Sequence, residues 1–292
     1  MTKRRLSSLS GPDLVRFPDC ERMHELVRTG GKGSSREEIR QAQDLAYDAD
    51  EAPDRARCHA LARKALQISP LCADAWLELA NLRNLTLESR REYLVRAVCA
   101  GELAIGERRF VEDKGHFWLV LETRPYMRAR FALAEDLWFS GSHDVAIGHL
   151  RAMLELNPND NQGLRYVLLD WLMKVGDDDA ARRLLAEHRE EVSTFFEFSR
   201  ALLAFKATGD SEPARLAAAG ATLSNRHVGR YLADPNTWYA LTDFYSPGQE
   251  SEAAWYTQEL GPVWRRTPGA IEWICGQTAK EPVRNRDGDT VH

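Results

Sequence analysis

Three stretches decide the reading of this chain: FSGSHDVAIGHL at 139–150, KVGDDDAARRLL at 174–185 and ATGDSEPARLAA at 207–218. Each carries a glycine in a polar turn: Gly141, Gly176 and Gly209, separated by 35 and 33 residues. Five residues after each glycine stands an alanine: Ala146, Ala181 and Ala214. Four further on comes Leu150, Leu185 or Ala218. Glycine ends a helix cheaply because it accepts left-handed backbone angles. The alanine then marks a place where two helices come close, since a larger side chain would separate them. A period of this length holds two helices and their turns, so the chain reads as helix pairs in series.

The pattern extends in both directions. Ser35-Arg36-Glu37-Glu38 has the capping-box form that opens a helix. From there apolar residues recur at helical spacing, and alternating β-branched runs are nearly absent. Pro70 and Pro158 close second helices and set the turn into the next pair. The pairs are expected at 36–70, 73–100, 125–158, 160–191 and 193–224, forming an array over 35–224. The second pair lacks the turn glycine. Residues 101–124, GELAIGERRFVEDKGHFWLVLETR, break the period and read as an insertion, with FWLVL as a possible short strand. Residues 1–34 read as a partly flexible N-terminal extension, 225–278 as atypical capping helices and 279–292 as a disordered tail.

With these turns in place, the chain resembles the tetratricopeptide repeat superfamily over about 36–224, most closely at 125–218. LELNPNDNQGLRY at 154–166, ETRPYMRARFALAEDLW before it and YSPGQESEAAWYTQELGPVW after it are similar to a bacterial subgroup of those proteins. Two positions depart from the superfamily pattern: Ala129 or Arg130 replaces the usual first-helix tryptophan, and Met153 replaces a late alanine. The resemblance implies an all-α, right-handed α-solenoid of antiparallel helix pairs. It also implies a concave groove that binds a protein or peptide.

Composition narrows the function classes. Of 292 residues 28% are charged, and the formal charge is −5. That balance makes nucleic acid an unlikely partner, although RARFALAE and ESRREYLVRA are arginine-rich. The five cysteines are scattered without a C-x-x-C, which suggests reduced thiols and a cytoplasmic location. No apolar run follows the basic N-terminus, and none reaches the ~18 residues of a membrane span. The GGKGSS run lacks the glycine and hydroxyl spacing of a phosphate loop. His143 and His149 are six apart, which does not put two ligands on one helix face, and VGDDDA lacks calcium-loop spacing. No metal, no cofactor and no catalytic set is expected. WRRTPGAIEW at 264–273 reads as a helix stop and turn, with Trp264 and Trp273 docking the C-terminal cap.

The amide-rich turn leaves two readings open. Asn157, Asn159 and Asp160 are suited to capping helix ends. Asn161, Gln162, Arg165 and Tyr166 are suited either to packing or to holding a ligand. First-helix spacing turns Arg128, Phe131, Glu135, Trp138 and Phe139 toward the groove in one pair, and Gly163, Tyr166, Asp170 and Lys174 in the next. Such a set suits a peptide, because arginine grips carboxylates and aromatic rings bury flat apolar area. Phe131 and Trp138 equally suit the core. On this reading Arg165→Ala leaves the melting temperature nearly unchanged. The competing reading is an enzyme or modification-system subunit that uses the 101–124 insertion and the amide rim. Neither the partner nor the oligomeric state follows from the sequence.

Overall fold

A computed structural model describes residues 18–234 and 244–278. Residues 1–17, 235–243 and the expected tail at 279–292 lie outside the described residues. All regular structure among the described residues is helical, and no helix there is long and apolar enough to cross a membrane. The chain divides into two compact units, Met1–Leu164 and Arg165–His292.

The first unit begins with α1 (Pro18–Thr29), inside the segment expected to be an extension, and α1 packs on α5. Three helix pairs follow: α2 (Arg36–Asp50) with α3 (Arg55–Ile68), α4 (Ala73–Ala80) with α5 (Leu87–Glu112), and α6 (Arg124–Phe139) with α7 (His143–Leu156). Each first helix also packs on the next: α2 on α4, and α4 on α6. The capping box at α2 is present in both directions: Ser35 accepts from the Glu38 backbone, and Glu38 accepts from that of Ser35. GGKGSS is a structural turn, with the Ser69 hydroxyl donating to the Gly33 carbonyl at 2.5 Å.

The turn glycines behave as their spacing requires. Gly141, Gly176 and Gly209 all have positive φ, at 85°, 79° and 64°. Ala146, Ala181 and Ala214 are each completely buried.

The expected insertion takes a different form. Residues 101–112 continue α5, which bends at Gly106, where φ is 73°. FWLVL forms turns and the start of a short 3-10 segment, Leu121–Thr123, so the possible strand is not formed. Two backbone N–H groups of this loop, Gly115 and Phe117, donate to the Leu156 carbonyl at 2.9 and 3.2 Å, closing the end of α7. Phe117 is buried edge-on against Phe110 and Tyr126, and that aromatic cluster outweighs the strand propensity of a short apolar run. Gly101 allows α5 to approach α6: a Cβ there would lie 2.9 Å from the Tyr126 Cα.

The second unit contains α8 (Leu164–Val175), α9 (Asp178–Glu187), α10 (Thr194–Thr208), α11 (Glu212–Ser224), α12 (Val228–Ala233), α13 (Glu250–Arg265) and α14 (Ala270–Thr278), with α8 starting at the last residue of the first unit. α10 packs on α9, α11, α13 and α14, and α12 packs on α13 and α14. α13 ends at Arg265, and Gly269 makes the turn with φ 75°. Trp264 is fully buried, and Trp273 stacks on Phe205 at 4.6 Å. WRRTPGAIEW is therefore a docking segment.

Candidate functional site

The first helices of the leading three pairs share a line of polar contacts. Gln43 of α2 donates to Asp74 of α4 at 2.6 Å. Arg128 of α6 grips the same carboxylate through two nitrogens, with Nε at 3.0 Å. The Tyr47 hydroxyl faces that guanidinium, and half the tyrosine remains exposed. Burial works against the charge on Arg128, but Asp74 outweighs it and holds the guanidinium's affinity for its proton above the usual value. Arg128 is thus a cross-link between first helices that keeps an accessible edge.

Glu135, two turns along α6, is half-buried. Burial raises its carboxyl pKa, opposed by Arg90. Trp138 packs on His143 at 4.3 Å, while Phe139 is 81% exposed. The second arginine of RARFALAE, Arg130, is buried; it donates to the Tyr126 hydroxyl at 2.8 Å and to His149 Nδ1 at 3.4 Å. Burial, and then Arg130, push the His149 pKa down to about 3, so the imidazole is neutral and acts as an acceptor. In ESRREYLVRA, Arg90 and Arg91 both bind the buried Asp136, Arg91 at 2.7 Å, and Arg96 lies over the rings of Trp76 and Tyr93. Both arginine-rich stretches therefore direct charge at internal partners.

The amide turn is first of all a capping device. The Asn157 backbone N–H closes α7 on Met153, and the Asp160 carboxylate accepts the Leu164 N–H at 2.6 Å at the start of α8. Asp160 adopts positive φ, 47°, which aspartate tolerates, and Gly163 follows at 71°. Capping does not account for everything. Asn157 Oδ1 and Gln162 Oε1 are buried with no donor among the described residues. Asn161 is exposed.

In the second unit the expected site residues are held by neighbours. Arg165 donates to Glu191 at 2.8 Å and lies over the Tyr166 ring at 4.5 Å. Tyr166 meets Phe195 and Phe196 edge-on. Lys174 bridges Asp170 at 2.7 Å and Glu259 of α13 at 2.5 Å. The ammonium gains from two carboxylates, whereas Asp170 shares one ammonium and leaves Oδ1 buried, with no partner among the described residues. Desolvation consequently prevails at Asp170, and its pKa rises to about 6.

Sequence reasoning passed over two anchors of this unit. Arg200 donates to the carbonyls of His188 and Glu191 at 2.8 and 2.7 Å, closing the end of α9. Buried Glu252 accepts from Thr194 Oγ1 at 2.7 Å and from the Gly248 N–H at 2.6 Å. Their partners are distant in sequence or backbone atoms, so no local motif marks them.

Among the described residues, no three His, Cys, Asp or Glu side chains are placed to hold a metal ion. No protein-family model matches the chain, and no curated protein matches it.

Proposed function

We propose that this chain is a non-catalytic scaffold of the tetratricopeptide kind, a right-handed α-solenoid that binds a protein or peptide segment along its first helices. The observation that carries this reading is the row α2, α4, α6, joined through Gln43, Asp74 and Arg128. A surface fixed in advance loses little freedom when a partner lands on it. It offers an accessible aromatic ring at Tyr47, a guanidinium edge at Arg128 and a half-buried carboxyl at Glu135. These groups suit an extended peptide with mixed charge. The absence of disulfides among the five cysteines fits a cytoplasmic setting. The internal pairing of Arg90, Arg91, Arg128 and Arg130 supports a protein rather than a nucleic-acid partner.

The test is affinity capture with wild type against Tyr47→Ala/Glu135→Gln, a variant that spares the Asp74–Arg128 link. A partner held by wild type and released by the folded variant supports the first-helix face. Equal capture by both moves binding off this face and sinks the reading.

A further inference from the structure

Arg130, in the middle of α6, is 3% exposed, yet no carboxylate among the described residues bonds to it. Its hydrogen-bond partners are neutral: Nη1 donates to the Tyr126 hydroxyl at 2.8 Å, and Nε to His149 Nδ1 of α7 at 3.4 Å. The Tyr126 ring, 5.8 Å from the guanidinium carbon, adds only a weak attraction. Glu102 acts on Tyr126 through space and bonds to none of the three side chains. Asp136 on the same helix shows the usual arrangement: it is equally buried and is held by Arg90 and Arg91. A guanidinium keeps its charge inside proteins, and a buried charge without a counter-charge is costly.

The cluster also holds more donors than acceptors. Tyr126 Oη and His149 Nδ1 both accept from Arg130. His149 is neutral and supplies no counter-charge. Tyr126 is completely buried, and burial pushes its pKa up to about 12, so the phenol keeps its proton. That O–H has no acceptor among the described residues, and Nη2 of Arg130 has none either. The planar guanidinium sets Nη2 between Nε and Nη1, hence between the His149 and Tyr126 contacts. Buried donors of this kind are normally matched by an acceptor.

We propose that this cluster binds a compact monovalent anion, held by Arg130 Nη2 and the Tyr126 hydroxyl while His149 fixes the guanidinium through Nε. The ion supplies both the missing negative charge and the missing acceptor. Its size is limited, because Leu133, Ala134 and Met153, one turn along the same helix faces, are buried and apolar. Such surroundings disfavour a large, strongly hydrated oxyanion. The same chemistry is available from a halide or from the carboxylate of a small acid. The inference goes beyond the scaffold reading and does not rest on it. Arg130 points about 200° round α6 from Arg128, so the anion and the Tyr47 and Glu135 face are separate.

The experiment is thermal melting of the full chain at constant ionic strength, with bulky gluconate replaced stepwise by chloride or by formate. Chlorine NMR line width reads chloride binding directly. The wild-type melting temperature should rise with a saturable dependence on at least one of the two anions, as a ligand of the native state requires. A larger rise with chloride identifies a halide site, and a larger rise with formate identifies a carboxylate site. Arg130→Met, similar in length but uncharged, should abolish the saturable rise. Tyr126→Phe keeps the ring and the charge, so it tests the site with the least disturbance to folding. It should weaken the anion about tenfold, the loss of one hydrogen bond to a charged group. A wild-type melt indifferent to both anions overturns the proposal. So does a saturable rise that both variants retain in full, since the anion would then sit elsewhere.

Discussion

Alanine fills the interior of the first two helix pairs, whereas aromatic rings fill the interior around α10 and α13. In the former, Ala42, Ala46, Ala62, Ala65 and Ala75 form a buried cluster with Cys72 and Leu79. In the latter, Phe196, Phe198, Tyr256 and Trp264 are fully buried, and the Trp264 indole donates to the Tyr256 hydroxyl at 2.7 Å. Alanine contacts impose close, similar spacings, so pairs built on them repeat. Aromatic contacts depend on ring orientation, so each junction built on them is individual. Buried alanines recur through the pairs as far as Ala214, Ala218 and Ala221 of α11, and the period fades beyond Ser224, where α13 brings Tyr256 and Trp264 against Phe198 of α10.

The largest effect should come from the aromatic side. Trp264→Ala removes a fully buried indole and the donor to Tyr256 and should cost about 4 kcal/mol in denaturant unfolding. A loss below about 1 kcal/mol would break the contrast by showing that the aromatic interior is loosely filled. Ala146→Arg tests the alanine rule at a completely buried position and should cost about 3 kcal/mol or more. A wild-type melt would mean that close approach does not govern the repeats.

Asp170 provides a pH test. Its native carboxyl binds a proton more tightly than the unfolded chain does, with a pKa of about 6 against an ordinary value of 3.8. Its favourable contribution is therefore complete below the ordinary value and is lost as pH rises through about 6. The loss amounts to at most about 3 kcal/mol. Asp170→Asn should flatten the stability curve over that window, leaving Lys174 on Glu259. An unchanged slope would assign the pH dependence to other groups.

The smallest effect is expected at Arg165. The sequence alone makes this arginine dispensable for stability, whereas its ion pair with Glu191 and its stacking on Tyr166 predict a cost of about 1 kcal/mol for Arg165→Ala. A thermal melt indistinguishable from wild type would restore the side chain to partner binding.

Much of the fold was legible because its signals are local. The glycine–alanine spacing, the Ser35–Glu38 box and the proline at position 70 act within a turn or two of themselves. The middle of the chain was harder to read. FWLVL has strand composition, but Phe110, Phe117 and Tyr126 recruit it into an aromatic corner. α1 was missed because a proline such as Pro18 opens a helix as readily as it interrupts one.

The candidate site was legible only as residue types. Arg128 and Lys174 stand where helical spacing turns them out of the core, and Arg165 stands at the amide-rich rim, yet each meets a carboxylate from a distant segment: Asp74, Glu259 and Glu191. Spacing reports which face a side chain leaves from, but not what waits there. The sequence by itself determined helices in pairs and the small residues between them, because those depend on backbone angles and volume over a few turns. Only the tertiary structure decided which charges are bound and which stay accessible. Pairing depends on distances between segments 26 to 85 residues apart, and no local pattern encodes them.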